Sequence, residues 1–242
     1  DRIAASLVRT NLQPSEDNGG LDIVFQPRFA PKLRDIDHGG WAPRIQNQGT
    51  IGDCTAQTMT AIAESIENAA RAYVPGGSKM ERSERYQYFR SRQLDGIVGD
   101  KGSTPRNMAR AAYKFGIPYA DTFPLTSALD EVPPPAVDAE AALYKLGQYE
   151  LIELNRDDWR VTWNAIRSAM EEGCRVALAF HCRRWMTEVT GALGSRAHGP
   201  PAMSMTDPRN DIIGGHISWV KRASVDLMPD SGGALVMHGS WG

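Results

Sequence analysis

Cys54 stands where a cysteine could act as a nucleophile. The residues before it, 46–52, are polar or glycine apart from Ile51, which is the composition of a turn. From Cys54 to Tyr73, apolar residues recur every three or four positions, which predicts a buried amphipathic helix. Asp53 is a good N-cap residue, so the thiol would lie in the first helical turn, where unpaired N–H groups and the helix dipole stabilise an anion. We therefore expect a lowered thiol pKa and partial ionisation near neutral pH.

Gln48 favours a catalytic role for this cysteine over a structural one. Taken alone, a cysteine is more often a small buried hydrophobic residue. Gln48 lies six residues upstream and could donate a side-chain N–H to an oxyanion beside the sulfur. The backbone N–H of Cys54 would be the second donor.

The motif Asn-Gln-Gly-x-x-Gly-x-Cys-x-Ala at residues 47–56 resembles the nucleophile block of the papain-like cysteine peptidases. The threonine directly after the cysteine, Thr55, resembles the residue at this position in the bacterial branch of that family. Ile51, Asp53 and Thr55 depart from the papain signature, which has Cys, Ser or Ala, and an aromatic residue at these positions. The missing first Cys implies that the disulfide found there in secreted relatives is absent.

His216 is the candidate base. An imidazole can hold a thiolate and later protonate the leaving amine. The Gly-Gly-His run at 214–216, at the start of a predicted strand, resembles the histidine block of the same family. An isolated histidine of this kind is more often a hydrogen-bonded core residue, but here it follows the nucleophile block in the family's order.

The third catalytic position departs from the family pattern. Papain-like enzymes usually place Asn directly before Ser-Trp-Gly, where its amide orients the imidazole, and this chain has Gly239 there. His238 is the neighbour, but alternate side chains of a strand point to opposite faces, so it should not substitute. The resemblance therefore implies an enzyme that is weak, specialised or inactive.

Substrate contacts are implied by the resemblance alone. They would come from the polar loop at Gly102 and Ser103 and from Gly215, with the substrate backbone lying extended in the cleft. Met203, Met205 and the 180–185 region could line side-chain pockets, although ordinary packing would explain them as well.

The chain has 242 residues, of which 41% are hydrophobic, and a formal net charge of −2. This composition suits one larger domain or two lobes. A net charge this close to zero gives no basic surface for binding nucleic acid or an acidic membrane. No run of apolar residues is long enough to span a membrane. Neither a signal peptide nor a zinc, phosphate-loop or dinucleotide motif is visible. We expect no metal, no cofactor and no disulfide framework, and a cytoplasmic location or a place in a larger particle.

The pattern predicts an α+β fold with two lobes and a cleft between them. Residues 1–34 would form an N-terminal arm, 35–128 a helical lobe with the nucleophile helix, and 129–242 a β-rich lobe with the catalytic histidine. The proline-rich segment 129–138 is the boundary signal. Further predicted elements are helices over 83–93, 104–115 and 157–172, and strands over 148–154, 175–180, 214–220 and 234–238.

Function follows from the resemblance as a set of alternatives. The first is a cysteine peptidase that hydrolyses peptide or isopeptide bonds of a protein substrate through a thioester. The second is a weakened or inactive papain-like domain used for binding or assembly, with the N-terminal arm as a structural element, a partner-binding tail or a pro-segment. The third is another Cys–His hydrolase such as a peptidoglycan amidase, which the Ser-Trp-Gly ending does not fit.

Overall fold

A computed structural model of the chain describes residues 23–28, 30, 34–71, 81–155, 157–183, 211–227 and 233–239. Most of the predicted arm, the methionines of the long loop and the Ser-Trp-Gly ending lie outside these residues. No helix in the described ranges is long and apolar enough to cross a membrane.

Five α-helices form in the described part of the chain. They are α1 (Cys54–Arg71), α2 (Glu84–Asp95), α3 (Pro105–Lys114), α4 (Pro135–Ala141) and α5 (Trp159–Glu171). Side chains cap the first turns of α2 and α3: Ser83 Oγ accepts the Tyr86 N–H at 3.0 Å, and Thr104 Oγ1 accepts the Asn107 N–H at 3.2 Å. The nucleophile helix and the three helices predicted after it are confirmed.

Helix α4 occupies the segment for which the sequence predicts only a proline-rich boundary. Proline fits the first turn of a helix, because its φ is already helical and its missing N–H would have no partner there; Pro134 and Pro135 occupy this start. The helix packs against the turn after α3, where Gly116 has φ +84°. A Cβ on Gly116 would lie 1.8 Å from the carbonyl oxygen of Ala141, so only glycine fits.

The strands are β1 (Ile23–Val24), β2 (Ile36–Asp37), β3 (Glu150–Leu151), β4 (Val176–Arg183), β5 (Ile212–Ser224) and β6 (Ala234–His238). β1 and β3 pair in parallel, and the other four form one antiparallel sheet. β5 is its central strand and pairs with β4, β2 and β6. The three strands predicted last in the chain are confirmed, whereas the strand predicted over 148–154 is shorter and lies outside this sheet.

Two apolar clusters meet at β5. The first packs α5 and the chain's first described residues against the sheet and comprises Phe25, Ile36, Ile166, Ala169, Met170, Val176, Val220 and Ala223. The second packs α1 and α3 against the sheet and comprises Met59, Ile62, Met108, Ala112, Ile117, Ile217 and Trp219. Burial of apolar surface on both sides makes β5 the element on which the helical and β-rich parts are assembled. The α+β fold class is confirmed, while the exact division at 35 and 129 stays a prediction; β2, although it precedes the nucleophile helix, pairs with β5.

Candidate active site

Cys54 is the first residue of α1, as the sequence predicts. The Asp53 carbonyl accepts the Gln57 N–H at 3.0 Å, which is the first hydrogen bond of the helix. The Asp53 carboxylate is fully buried and receives the Gln57 side-chain amide at 3.4 Å, so it contacts a side chain rather than the backbone N–H groups that a typical N-cap satisfies. Its other oxygen, Oδ1, has no hydrogen-bond partner among the described residues.

Ile217 of β5 joins the head of α1 to the sheet. The backbone N–H of Ile217 donates to the Cys54 thiol, and the Thr58 hydroxyl, one turn further along α1, donates to the Ile217 carbonyl at 3.0 Å. Cys54 also packs against the apolar cluster that contains Ile217. The thiol therefore contacts the residue that directly follows His216 on the central strand.

The thiol pKa moves in the direction opposite to the sequence prediction. The pKa of Cys54 is raised to about 11, mainly by burial; the N–H of Ile217 acts to lower it, and the adjacent Asp53 carboxylate acts to raise it. Desolvation of a thiolate thus outweighs the helix N-terminus. The prediction of a lowered pKa is wrong for this arrangement.

His216 is buried and stays neutral at physiological pH. Only 5% of its surface is exposed, and burial lowers its pKa to about 4. Its ring lies edge-on to Phe180, with centroids 5.6 Å apart. The two candidate catalytic groups are therefore a neutral thiol and a neutral imidazole near pH 7, rather than an ion pair.

Gln48 is held within the loop that precedes the nucleophile. Its Nε2 donates to the Ile51 carbonyl at 2.9 Å, and the Ile51 N–H donates back to the Gln48 carbonyl at 3.2 Å. Gly49 makes this tight turn possible with φ +59°. The loop thus holds the candidate oxyanion donor in place, three residues before Ile51 and six before Cys54.

Gly239 ends the last described strand segment and has room for a side chain. Continuing the β5–β6 register, in which Trp219 pairs with His238, Gly239 comes opposite Ser218, two residues from His216. Among the described residues, a Cβ on Gly239 would meet nothing within 4 Å. The His238 ring packs on Trp219 at 5.4 Å and is hydrogen-bonded to the Arg44 backbone, so it is committed elsewhere.

The predicted substrate loop lies beside the nucleophile loop. Gly102 adopts φ +79°, and its N–H donates to the Tyr88 hydroxyl at 3.0 Å. The Ser103 hydroxyl is nearly buried and donates to Asp95 at 2.7 Å, so its side chain supports the loop. Gly215 lies in the ladder opposite His181 of β4. Substrate binding by these three positions stays a prediction.

Sequence patterns did not predict that polar side chains of α2 and of the loop after it hold these two loops. Tyr88 and Asp100 join them, Arg92 donates to the Gly99 carbonyl at 2.8 Å, and Asp95 accepts the Thr104 N–H at 3.0 Å. The spacing of Tyr88, Arg92 and Asp95 along one helix face is the signal that could have found them.

Buried carboxyl groups surround the nucleophile helix. Burial is the largest cause in each case, raising the pKa of Asp53 to about 6, of Glu84 to about 7 and of Glu64 to about 8. Glu64 accepts the Arg82 N–H at 2.7 Å. Among the described residues, no group of three or more His, Cys, Asp or Glu side chains could hold a metal ion.

Solved structures of cysteine proteases share this fold. Xylellain, a cysteine protease from Xylella fastidiosa, matches with a TM-score of 0.67 and 18% identity over 91% of this chain and 80% of that chain. Procathepsin L 3 from the larval midgut of Tenebrio molitor matches with a TM-score of 0.62 and 15% identity over 92% of this chain; the match spans 64% of that chain. Procathepsin B S9 from Trypanosoma congolense matches with a TM-score of 0.55 and 15% identity over 91% of this chain and 72% of that chain.

These likenesses define the class: the chain has the α+β fold of the papain-like cysteine proteases. The sequence matches no protein-family model, and no curated protein matches it. At identities of 15 to 18%, the likeness is one of fold.

Proposed function

We propose that the protein is a papain-like cysteine peptidase of the bacterial type that hydrolyses peptide or isopeptide bonds in a protein substrate. The observation that carries this proposal is the contact of the Cys54 thiol with Ile217, the residue after His216, in a fold shared with cysteine proteases. No metal or cofactor enters the reaction. The sulfur and the imidazole needed for acyl transfer come from α1 and β5.

In this proposal His216 removes the thiol proton while the Cys54 sulfur attacks the substrate carbonyl carbon. Gln48 and the backbone N–H of Cys54 would stabilise the oxyanion. The C–N bond breaks, the amine leaves with the proton that His216 returns, and a thioester remains on Cys54. Water, deprotonated by the same imidazole, then hydrolyses the thioester and regenerates the thiol.

The raised thiol pKa and the lowered imidazole pKa give this enzyme a different resting state from a preformed ion pair. Proton transfer from Cys54 to His216 must accompany the attack, because neither charged form is favoured beforehand. This raises the barrier to acylation. A slow peptidase is the expected behaviour.

Substrate recognition would use the predicted cleft positions. An extended substrate backbone would lie along the loop at Gly102 and Ser103 and against Gly215, adding a strand-like segment to the cleft wall. Because the Ser103 side chain is already bonded to Asp95, its share of this contact would be made by its backbone.

The second candidate function is a weakened or inactive papain-like domain that binds a partner, through the arm at 1–34 or the cleft. Two observations favour it: Gly239 cannot orient the imidazole, and burial suppresses the thiolate of Cys54. The two candidates differ in whether Cys54 turns over any substrate.

A peptide panel with four proteins tests the choice. Fluorogenic peptides are offered to the wild type, to Cys54→Ala and to Gly239→Asn. Gly40→Asn is a matched control, because a Cβ there also meets no described residue within 4 Å. We expect weak wild-type turnover that Cys54→Ala abolishes, and an increase of about tenfold or more in kcat for Gly239→Asn alone, since an orienting group acts with its base as a unit. Traces that are identical for all four proteins would refute the peptidase and support the binding domain.

A further inference from the structure

We infer that Asp100 and Tyr88 are positioning residues that hold the nucleophile loop and the substrate loop in a fixed relation. Asp100 Oδ1 accepts the Gly52 N–H at 2.9 Å and the Tyr88 hydroxyl at 2.7 Å, and the Tyr88 oxygen accepts the Gly102 N–H at 3.0 Å. Gly52 is two residues before Cys54. The inference rests on the proposed function, because it assigns these residues to the same site.

The two loops approach each other closely at Gly52, where a side chain would crowd the Asp100 carboxylate. A Cβ on Gly52 would lie 3.1 Å from Asp100 Oδ1, 3.4 Å from the Gly102 nitrogen and 3.6 Å from the Tyr88 hydroxyl. Gly102 has φ +79°, which also favours glycine. The hydrogen-bonded chain from Gly52 to Gly102 therefore bridges two backbone segments that are in near contact.

A buried helix anchors this chain of hydrogen bonds. Tyr88 is fully buried in α2, and the Arg92 guanidinium lies 4.6 Å from the centre of its ring. Arg92 also donates to the Gly99 carbonyl at 2.8 Å, directly before Asp100, and Asp95 accepts the Thr104 hydroxyl at 2.8 Å. α2 thus fixes both ends of the loop that carries Gly102.

A fixed relation between the two loops matters for ligands that contact both loops at once. A peptide must align its backbone on the loop at Gly102 while its carbonyl carbon meets the Cys54 sulfur, and a misplacement of about 1 Å can cost about 100-fold in rate. A small alkylating reagent needs only the sulfur. Loss of the Tyr88 hydroxyl or of the Asp100 carboxylate should therefore slow peptidyl reagents selectively.

The test compares two labelling rates at Cys54 in the full chain, followed by mass spectrometry. A peptidyl vinyl sulfone reports alignment of the loops, and iodoacetamide reports the sulfur alone. For Tyr88→Phe and Asp100→Ala we expect the vinyl sulfone rate to fall about tenfold or more and the iodoacetamide rate to change less than about twofold. Asp100→Asn, which keeps an acceptor oxygen for both donors, should restore most of the vinyl sulfone rate.

Tyr86→Phe is the matched control. Tyr86 lies two residues earlier in α2, is also fully buried, and donates its hydroxyl to Asp138 at 2.7 Å, away from both loops. The Tyr86→Phe variant should lose stability as Tyr88→Phe does, while both reagents should label Cys54 at the wild-type rates. Equal losses in Tyr86→Phe, or equal losses with both reagents, would overturn the inference.

Hydrogen exchange separates this inference from the proposed function. If the wild type reacts no faster with the peptidyl reagent than with iodoacetamide, the peptidase proposal fails, but the link between the loops remains measurable. Tyr88→Phe and Asp100→Ala should each reduce protection of the Gly52 and Gly102 amides together. Loss of protection at only the amide nearest the substitution would refute the coupling.

Discussion

Titration of the Cys54 thiol tests whether burial or the helix N-terminus controls the nucleophile. With a pKa of about 11 against an ordinary value of 9.0, the thiolate fraction at pH 7.5 is about 3 in 10,000 rather than about 3 in 100. The more basic thiolate is also more nucleophilic, which recovers about tenfold of this loss. The net expectation at pH 7.5 is alkylation about tenfold slower than that of an ordinary thiol.

The assay measures the rate of iodoacetamide labelling at Cys54 from pH 5 to pH 10.5, with peptide mapping to separate it from Cys174 and Cys182. The same peptide in urea-denatured protein supplies the ordinary thiol. The native rate should rise through pH 9 without a plateau, and its midpoint, unlike its absolute value, does not depend on access to the sulfur.

A fast native rate that is flat between pH 5 and pH 8 would refute this reasoning. Such a profile requires a thiolate already paired with an imidazolium at His216, so burial would no longer dominate either pKa. The resting state proposed above would then be wrong, although the assignment of the nucleophile would stand.

Other predictions concern the carboxyl groups around the same helix. Asp53→Asn should raise the rate of Cys54 alkylation about threefold or more above pH 6, where the carboxyl is ionised, and leave it unchanged below pH 6; an effect that is equal at pH 5 and pH 8 would contradict the electrostatic cause. Glu64 has a folded pKa of about 8, above its unfolded value, so the folded state binds the extra proton and loses stability as pH rises from about 4.5 to 8. The buried histidines, with lowered pKa values, oppose this only below about pH 6.5, so the melting temperature should fall by about 3 °C per pH unit from pH 6.5 to 8. Glu64→Gln should flatten that fall, and an unchanged slope in a thermal melt series would count against it.

Sequence patterns predicted the elements of this site better than their chemistry. The start of α1 at Cys54 follows from periodicity and a turn, both of which are local. The direction of the thiol pKa depends on how completely β5 covers the sulfur, and no local pattern reports that. The same holds for Asp53, which looks like an N-cap in sequence and is a buried carboxyl in the fold.

Long-range polar contacts could not be predicted from sequence patterns for a related reason. The bond between Gly52 and Asp100 joins residues 48 positions apart, and neither residue belongs to a helix or strand whose period could predict it. Helix α4 was missed because three consecutive prolines predict a break, although a helix can begin on proline.

The central strand β5 has a consequence for how this protein could be divided. It carries His216, pairs with β2 from the segment ahead of the nucleophile, and bonds to α1 through Ile217. Cutting the chain at the proline-rich segment before α4 would give two pieces. The first would hold β2, α1 and α3 without β5, and the second would hold β5 without the strand and helices that pair with it and pack on it. Each piece alone should remain unfolded, and the two should regain structure when mixed. The peptide bond at the cut would then be dispensable for folding, whereas β5 would not.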